Sequence, residues 1–259
     1  MNRLPERDAA SRSASPMRRH TPRPVNRAPA RAELAARLAE GCGALNLRVG
    51  FDERERLLAY LDLLQRWNRV YNLTAIRDPS DMLAQHLLDS LAVLRPLEEA
   101  AGREATRRVA PGPCLLDVGS GAGLPGMALA LAWPALEADL VEPVGKKAAF
   151  LRQSVAELGL ARRVRVHEGR IQEARLPRAP DLAICRAFAS LNEFAGLIEP
   201  FLTPETVVFA MKGQRQEIEA EAAALAPGWR VADVTALVVP GLGAARHLVE
   251  LAQPTRTGR

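Results

Sequence analysis

Residues 115–126 read LLDVGSGAGLPG. Four glycines, at 119, 121, 123 and 126, follow a short apolar run that carries Asp117. Glycine permits positive φ and lets the backbone approach a ligand closely. A turn of this kind between a strand and a helix holds phosphates, dinucleotides or other nucleosides. Further along, Glu142 ends another short apolar run, and Arg186 ends a third. Lys146, Lys147 and Lys212 are the three lysines of an arginine-rich chain. No Cys-x-x-Cys pair occurs, and the four histidines do not cluster with Cys42, Cys114 or Cys185, so no metal site is expected. The three cysteines are odd in number and far apart, which reads as core packing in a reducing compartment.

Two patterns fit the glycine turn. Gly121-Ala-Gly123-Leu-Pro-Gly126 is a GxGxxG dinucleotide fingerprint. Asp117-Val-Gly119-Ser-Gly121-Ala-Gly123 is the acidic-xGxGxG turn of enzymes that use S-adenosylmethionine. Both expect an acidic residue about 20 positions on to hold ribose hydroxyls, and Glu142 serves either. Two features favour the methyl donor. Asp117, just before the glycines, can pair with an ammonium group, which that donor has and NAD lacks at this end. Three glycines at alternate positions also need no diphosphate to explain them. No GK[ST] follows, so the turn is not a P-loop.

The elements that must position these groups follow from periodicity. Residues 31–48 and 53–68 read as helices, the second with Leu57, Leu58, Leu61 and Leu64 at helical spacing. A third helix begins at Asp78 as N-cap, with Pro79 at the first helical position. WNRVYNLTAI (67–76) between them reads as a loop. A turn-rich link (101–113) follows. The pattern then switches to short apolar runs alternating with helices: strands at CLLDV, EADLVE, RVRVH, DLAICRA and TVVFAMK, and a final antiparallel pair around PGLGA. Such alternation predicts an α/β fold with a doubly wound, mostly parallel sheet, whose ligands sit at the carboxyl ends of the strands.

Residues 1–32 hold eight arginines against Glu6 and Asp8, while the whole chain is +5, so the remainder is close to neutral. Any nucleic-acid footprint on the folded part must therefore be local. The first 30 residues, rich in Arg, Pro, Ser and Ala, read as a disordered tail. The expected division is tail 1–30, helical extension 31–100 and catalytic domain 101–259. No run approaches 18 uninterrupted apolar residues, so no membrane span or membrane partner is expected. A cytoplasmic monomer is the expected form.

Several segments resemble one family in the same order: WNRVYNLTAIRDPSDMLAQHLLDSL (67–91), LLDVGSGAGLPG, GKKAAFLRQSVAELGL (145–160), RAFASLNEF (186–194), AMKGQ (210–214) and RHLVE (246–250). They are similar to the bacterial small-subunit ribosomal RNA guanine-N7 methyltransferases, the glucose-inhibited division protein B family. The resemblance covers roughly residues 31–252. It implies a class I S-adenosylmethionine-dependent methyltransferase (Rossmann-like) sheet with an N-terminal helical extension. It implies S-adenosyl-L-methionine as cofactor and a guanine of 16S rRNA, in the small subunit, as acceptor. Carried over, Asp117, Gly119, Gly121, Gly123, Leu124 and Glu142 belong to the donor site. Ile171 and Gln172 take the adenine-side pair, where relatives often carry Glu in the second position, and Arg186 takes the family's binding arginine.

Guanine N7 carries a lone pair and no proton, so no general base is required and none is assigned. Catalysis is then positioning of acceptor, methyl and leaving sulfur in a line. Arg186 is the expected acceptor-positioning group, able to donate to guanine O6. Phe188 suits either base stacking or the core. Lys146, Lys147, Arg152, Lys212 and Arg246 are expected to form a phosphate-contacting, RNA-binding rim. His86 and Asp89, three apart on a helix, read as a hydrogen-bonded prop for the WNRVYNLT loop. Other readings are a methyltransferase with a different acceptor, or a non-catalytic RNA-binding protein on the same fold. A dehydrogenase ranks last, for want of a Tyr-x-x-x-Lys.

Overall fold

The computed structural model describes residues 30–105, 112–188 and 190–254. The tail expected over 1–30 lies, but for Ala30, outside the described residues. Helices α1 (Arg31–Ala44) and α2 (Phe51–Tyr71) come first. Helix α3 starts at Pro79–Met82, widens to a π-helical turn over Leu83–Leu88 and narrows again at Asp89–Leu91. Asp78 caps it, its carboxylate accepting from Ser80 N–H at 2.8 Å and Asp81 N–H at 3.2 Å. Helix α4 (Leu94–Ala105) runs into the stretch expected to be a turn-rich link. Before that stretch, buried Leu97 and Ala100 carry the apolar face of the helix.

Seven strands follow: β1 (Cys114–Val118), β2 (Glu137–Glu142), β3 (Val164–Glu168), β4 (Leu182–Arg186), β5 (Val207–Lys212), β6 (Arg230–Leu237) and β7 (Arg246–Ala252). They form one sheet in the order β3-β2-β1-β4-β5-β7-β6. Every pair from β3 to β5 is parallel, and β7 is antiparallel to both β5 and β6. Between strands lie α5 (Gly126–Ala132), α6 (Gly145–Glu157), α7 (Leu191–Ile198) and α8 (Arg215–Ala223).

The period of two in a strand sorts the side chains by face. On β1, Leu115 points to a core shared with α1, α2, α3 and α5, and Leu116 points to a second core under α7. On β4, Leu182 and Ile184 point to the first core, and Ala183 and Cys185 to the second. Arg186 has the parity of Leu182 and Ile184, so it leaves the sheet toward the helical extension. Because β7 runs antiparallel, with Lys212 opposite His247, its first residue Arg246 lies at the edge where β4 and β5 end. Two arginines far apart in sequence thus reach the ligand-binding edge together.

The helix expected to stop near residue 68 continues to Tyr71. Asn72 then ends it in the left-handed region, at φ 48°, which Asn tolerates better than most residues. Buried Asn68 donates to Ile76 O at 3.0 Å and accepts from Thr74 N–H at 2.8 Å, so it folds the following loop back on the helix. Trp67 packs edge-on to Phe150 of α6, with ring centroids 5.6 Å apart, and seats the loop on the sheet side. Exposed Asn72 accepts from Arg77 at 2.8 Å.

Gly126 is a packing position. A Cβ there would run into the Leu140 side chain and stand 2.7 Å from Asp117 Oδ2. The close approach of α5 to β1 and β2 therefore requires glycine. Gly126→Ala is expected to destabilise the fold by about 1–3 kcal/mol through overpacking. Thermal denaturation would register this, and an unchanged midpoint would show that α5 can move away without penalty.

Candidate active site

Two clefts open at the carboxyl edge of the sheet and share the glycine turn. The first, about 520 Å³, is lined by Gly119, Glu142, Ile171, Gln172, Lys147 and Phe188 among others. The second, about 660 Å³, lies under the helical extension and is lined by Gly119, Gly121, Leu124, Lys147, Arg186, Phe188 and Arg246 among others. Gly119, Lys147 and Phe188 belong to both.

The turn is shaped for close approach. Gly119 and Gly121 have φ of 70° and 59°, and a Cβ on Gly119 would stand 2.9 Å from the Phe188 ring. Glu142 fixes the turn from the next strand. Its Oε2 accepts from Gly121 N–H at 2.7 Å and its Oε1 from Val144 N–H at 2.8 Å. Each oxygen keeps a further lone pair for a ligand hydroxyl. From below, the buried Tyr60 hydroxyl of α2 donates to Ala122 O, so the helical extension also holds the turn. Gly123 lines neither cleft; a Cβ there would meet Leu151, Met127 and the Tyr60 hydroxyl.

Asp117 sits behind the turn. It has no exposure and lines neither cleft, because its parity on β1 directs it into the first core beside Leu115. Its Oδ2 accepts from Gly126 N–H at 2.9 Å, which caps α5. Burial pushes its carboxyl up to about 6. It supports the turn from behind. Ile171 is buried and Gln172 exposed at the first cleft, so Gln172 stands where its side chain reaches solvent.

Arg186 enters the second cleft already held. Its Nη1 donates to Asp89 Oδ2 at 3.0 Å and to Gln85 O at 3.0 Å. Arg246 Nε donates to the other oxygen, Asp89 Oδ1, at 3.0 Å. Asp89, 2% exposed, is thus the hub of two ion pairs that bridge α3, β4 and β7. This differs from the prop expected of it. Of His86 and Asp89, it is His86 that props the loop, its Nε2 lying 2.9 Å from Thr74 Oγ1. After Arg186 comes Ala187 at φ 50°, a strained conformation for a residue with a Cβ. It delivers Phe188 to the wall between the clefts, where the ring meets Phe194 edge-on at 6.0 Å.

Burial, and then the nearby Arg186 charge, push the His86 imidazole down to about 4. The unfolded histidine takes its proton near pH 6.5, whereas the folded one waits until about 4. Stability is therefore lost as pH falls from 6.5 toward 4, by up to about 2 kcal/mol at pH 5. His86→Gln is expected to remove that part of the acid slope in denaturant midpoints measured between pH 7 and 5. An unchanged slope would place the proton uptake elsewhere. Burial likewise pushes the Cys185 thiol well up, which removes it as a nucleophile.

The expected basic rim is divided by the structure. Lys147 stands between the clefts and has no partner among the described residues. Lys146 Nζ donates to Tyr71 O at 2.8 Å. Arg152 pairs with Glu168 at 2.6 Å on the exposed flank. Lys212, its side chain only 10% exposed, pairs with Glu221 at 2.7 Å, and Arg246 is committed to Asp89. These pairings turn Lys212 and Arg246 inward, so they brace the cleft instead of forming an open rim.

A family described as rRNA small subunit methyltransferase G (GidB) matches residues 53–249. The chain belongs to this family. Relatives bearing the name Ribosomal RNA small subunit methyltransferase G include one from Ralstonia nicotianae, 46% identical over 85% of this chain and 96% of the relative. One from Leptothrix cholodnii is 48% identical over 82% and 92%, and one from Methylibium petroleiphilum 47% over 83% and 93%. The chain is therefore a methyltransferase. The match takes in the glycine turn, the Asp89 hub and both arginines, which lie between residues 53 and 249.

Proposed function

We infer that this protein transfers a methyl group from S-adenosyl-L-methionine to N7 of a guanine in 16S rRNA of the small ribosomal subunit. Membership of the small-subunit rRNA methyltransferase family carries this reading. The two clefts sharing Gly119 supply its geometry. We take the protein to act as a monomer in the cytoplasm, where its substrate is; among the described residues no helix is long and apolar enough to cross a membrane.

The donor fits the first cleft and the shared turn. Gly119 leaves open the space that a Cβ would fill beside Phe188, and one wall offers the Glu142 carboxylate while another offers buried Ile171. Bound there, the donor supplies a methyl carbon carried on a positively charged sulfur. Gly119, Gly121 and Leu124 let the backbone approach it, Glu142 accepts from its ribose hydroxyls, and Ile171 packs against its adenine. Lys147 faces anionic groups at the boundary between the clefts. Arg186, with Nη1 committed to the hub, keeps Nη2 and Nε for guanine O6, leaving N7 free of donors.

No residue needs to take a proton, because the attacking nitrogen has none to lose. The test is transfer of labelled methyl to small subunits isolated from a strain lacking this protein. Label is expected in 16S rRNA at guanine N7. Label confined to protein or to another nucleobase position would overturn the reading.

A further inference from the structure

The charged side chains that line the second cleft can be sorted by their partners. Asp89 is committed to Arg186 and Arg246. Glu221 is committed to Lys212 and to Leu191 N–H, the latter at 2.6 Å. Glu217 lines the same cleft, is exposed, and has no partner among the described residues. It lies in the first turn of α8, and that helix is pinned on either side of it. Ile218 is buried in the second core, and Glu221, one turn on, reaches the Lys212 side chain at the end of β5. A cleft braced by paired cations thus presents one uncommitted carboxylate from a fixed helix.

We propose that Glu217 reads the Watson–Crick edge of the acceptor guanine, accepting from N1–H and the N2 amino group, and so selects guanine. The inference rests on the reaction given under Proposed function. An ionised carboxylate only accepts, and its two oxygens match two adjacent donors. Guanine offers N1–H and N2–H₂ side by side. Adenine offers an acceptor at N1 and no amino group at C2, which leaves the carboxylate facing a lone pair. O6 adjoins N1 on the same edge, so Arg186 and Glu217 read neighbouring groups of one base. In the transfer, the N7 lone pair forms the new bond to the methyl carbon. The electrons of the broken bond stay on sulfur, so the base becomes a cation and no proton moves. Positive charge on the purine strengthens the N1–H and N2–H bonds to Glu217 in the transition state, beyond their strength in the ground state.

The test uses small subunits reconstituted with rRNA that carries either guanosine or inosine at the modified position. Inosine keeps N7, O6 and N1–H and lacks the N2 amino group. The wild-type protein is expected to lose roughly 10- to 100-fold in kcat/KM on inosine. Glu217→Ala is expected to lose a similar factor on guanosine, to treat guanosine and inosine alike within about 2-fold, and to bind S-adenosylmethionine with unchanged Kd. Glu217→Gln, which keeps one acceptor, should fall between them. A full guanosine-to-inosine ratio in Glu217→Ala would overturn the inference, as would a weakened Kd for the donor, which would assign the carboxylate to the donor's ammonium group. A wild-type protein that methylates no guanine N7 overturns the proposed reaction itself, and that outcome is read before any variant is compared.

Discussion

Arg186→Ala is expected to lower methyl transfer to the small subunit by roughly 10²- to 10³-fold in kcat, the loss typical of removing one fixed donor from a transition-state site. The size follows from the chemistry. With no proton to remove, the rate depends on how well acceptor and donor are held in line. Arg186 is the cation at the end of β4 whose Nη1 is locked by Asp89 and Gln85 and whose other donors remain for the cleft. Arg186→Lys should recover little. An ammonium group cannot satisfy Asp89 and Gln85 with one nitrogen while presenting another to the base. The loss should appear under single-turnover conditions with saturating donor and substrate. A kcat within about 3-fold of wild type would remove Arg186 from acceptor positioning.

Asp89→Ala should have its largest effect on stability. Breaking a fully buried ion pair by deleting one partner costs about 3–5 kcal/mol, because the remaining charge is stranded. Here two guanidinium groups are stranded, but they keep 19% and 26% side-chain exposure. Solvent reduces the penalty, and about 2–3 kcal/mol is the expected loss. For a domain of this size that corresponds to roughly 4–12 °C in the thermal midpoint. Arg186→Ala should destabilise less, since Asp89 then keeps Arg246. The pair of variants therefore separates two jobs: the arginine carries more of the rate, and the aspartate more of the stability. A midpoint for Asp89→Ala within 1–2 °C of wild type would mean that the hub is electrostatically idle.

Local pattern explains why much of this was legible in the sequence. The glycine turn, the Asp78 cap and the period-two strands depend on neighbours within a few residues, and each lies where the spacing placed it. Asp117 is near the glycines in sequence, yet its side chain is buried behind them and lines neither cleft. Strand parity groups it with Leu115, whose face of the sheet packs against the N-terminal helices. The Asp89 hub could not be read locally: its partners lie 97 and 157 residues away and meet it only because β4 and an antiparallel β7 end at one edge. The same holds for Lys212, which resembled a free rim cation until α8 folded back and brought Glu221 against it. Arg69–Tyr71 read as loop because polar residues interrupt the apolar ones, yet they extend the helix. The helix is retained there by Asn68, buried with its amide bonded to the loop beyond.

The reaction at N7 leaves a chemical mark that can be read to the nucleotide. Borohydride reduction followed by aniline breaks an RNA chain at an N7-methylated guanosine. Small subunits from a strain lacking this protein, incubated with the purified protein and S-adenosylmethionine, should acquire one such break in 16S rRNA, at a guanosine. The break should be absent without the donor and strongly reduced with Arg186→Ala. Methyl incorporation with no new break at any guanosine would contradict transfer to N7.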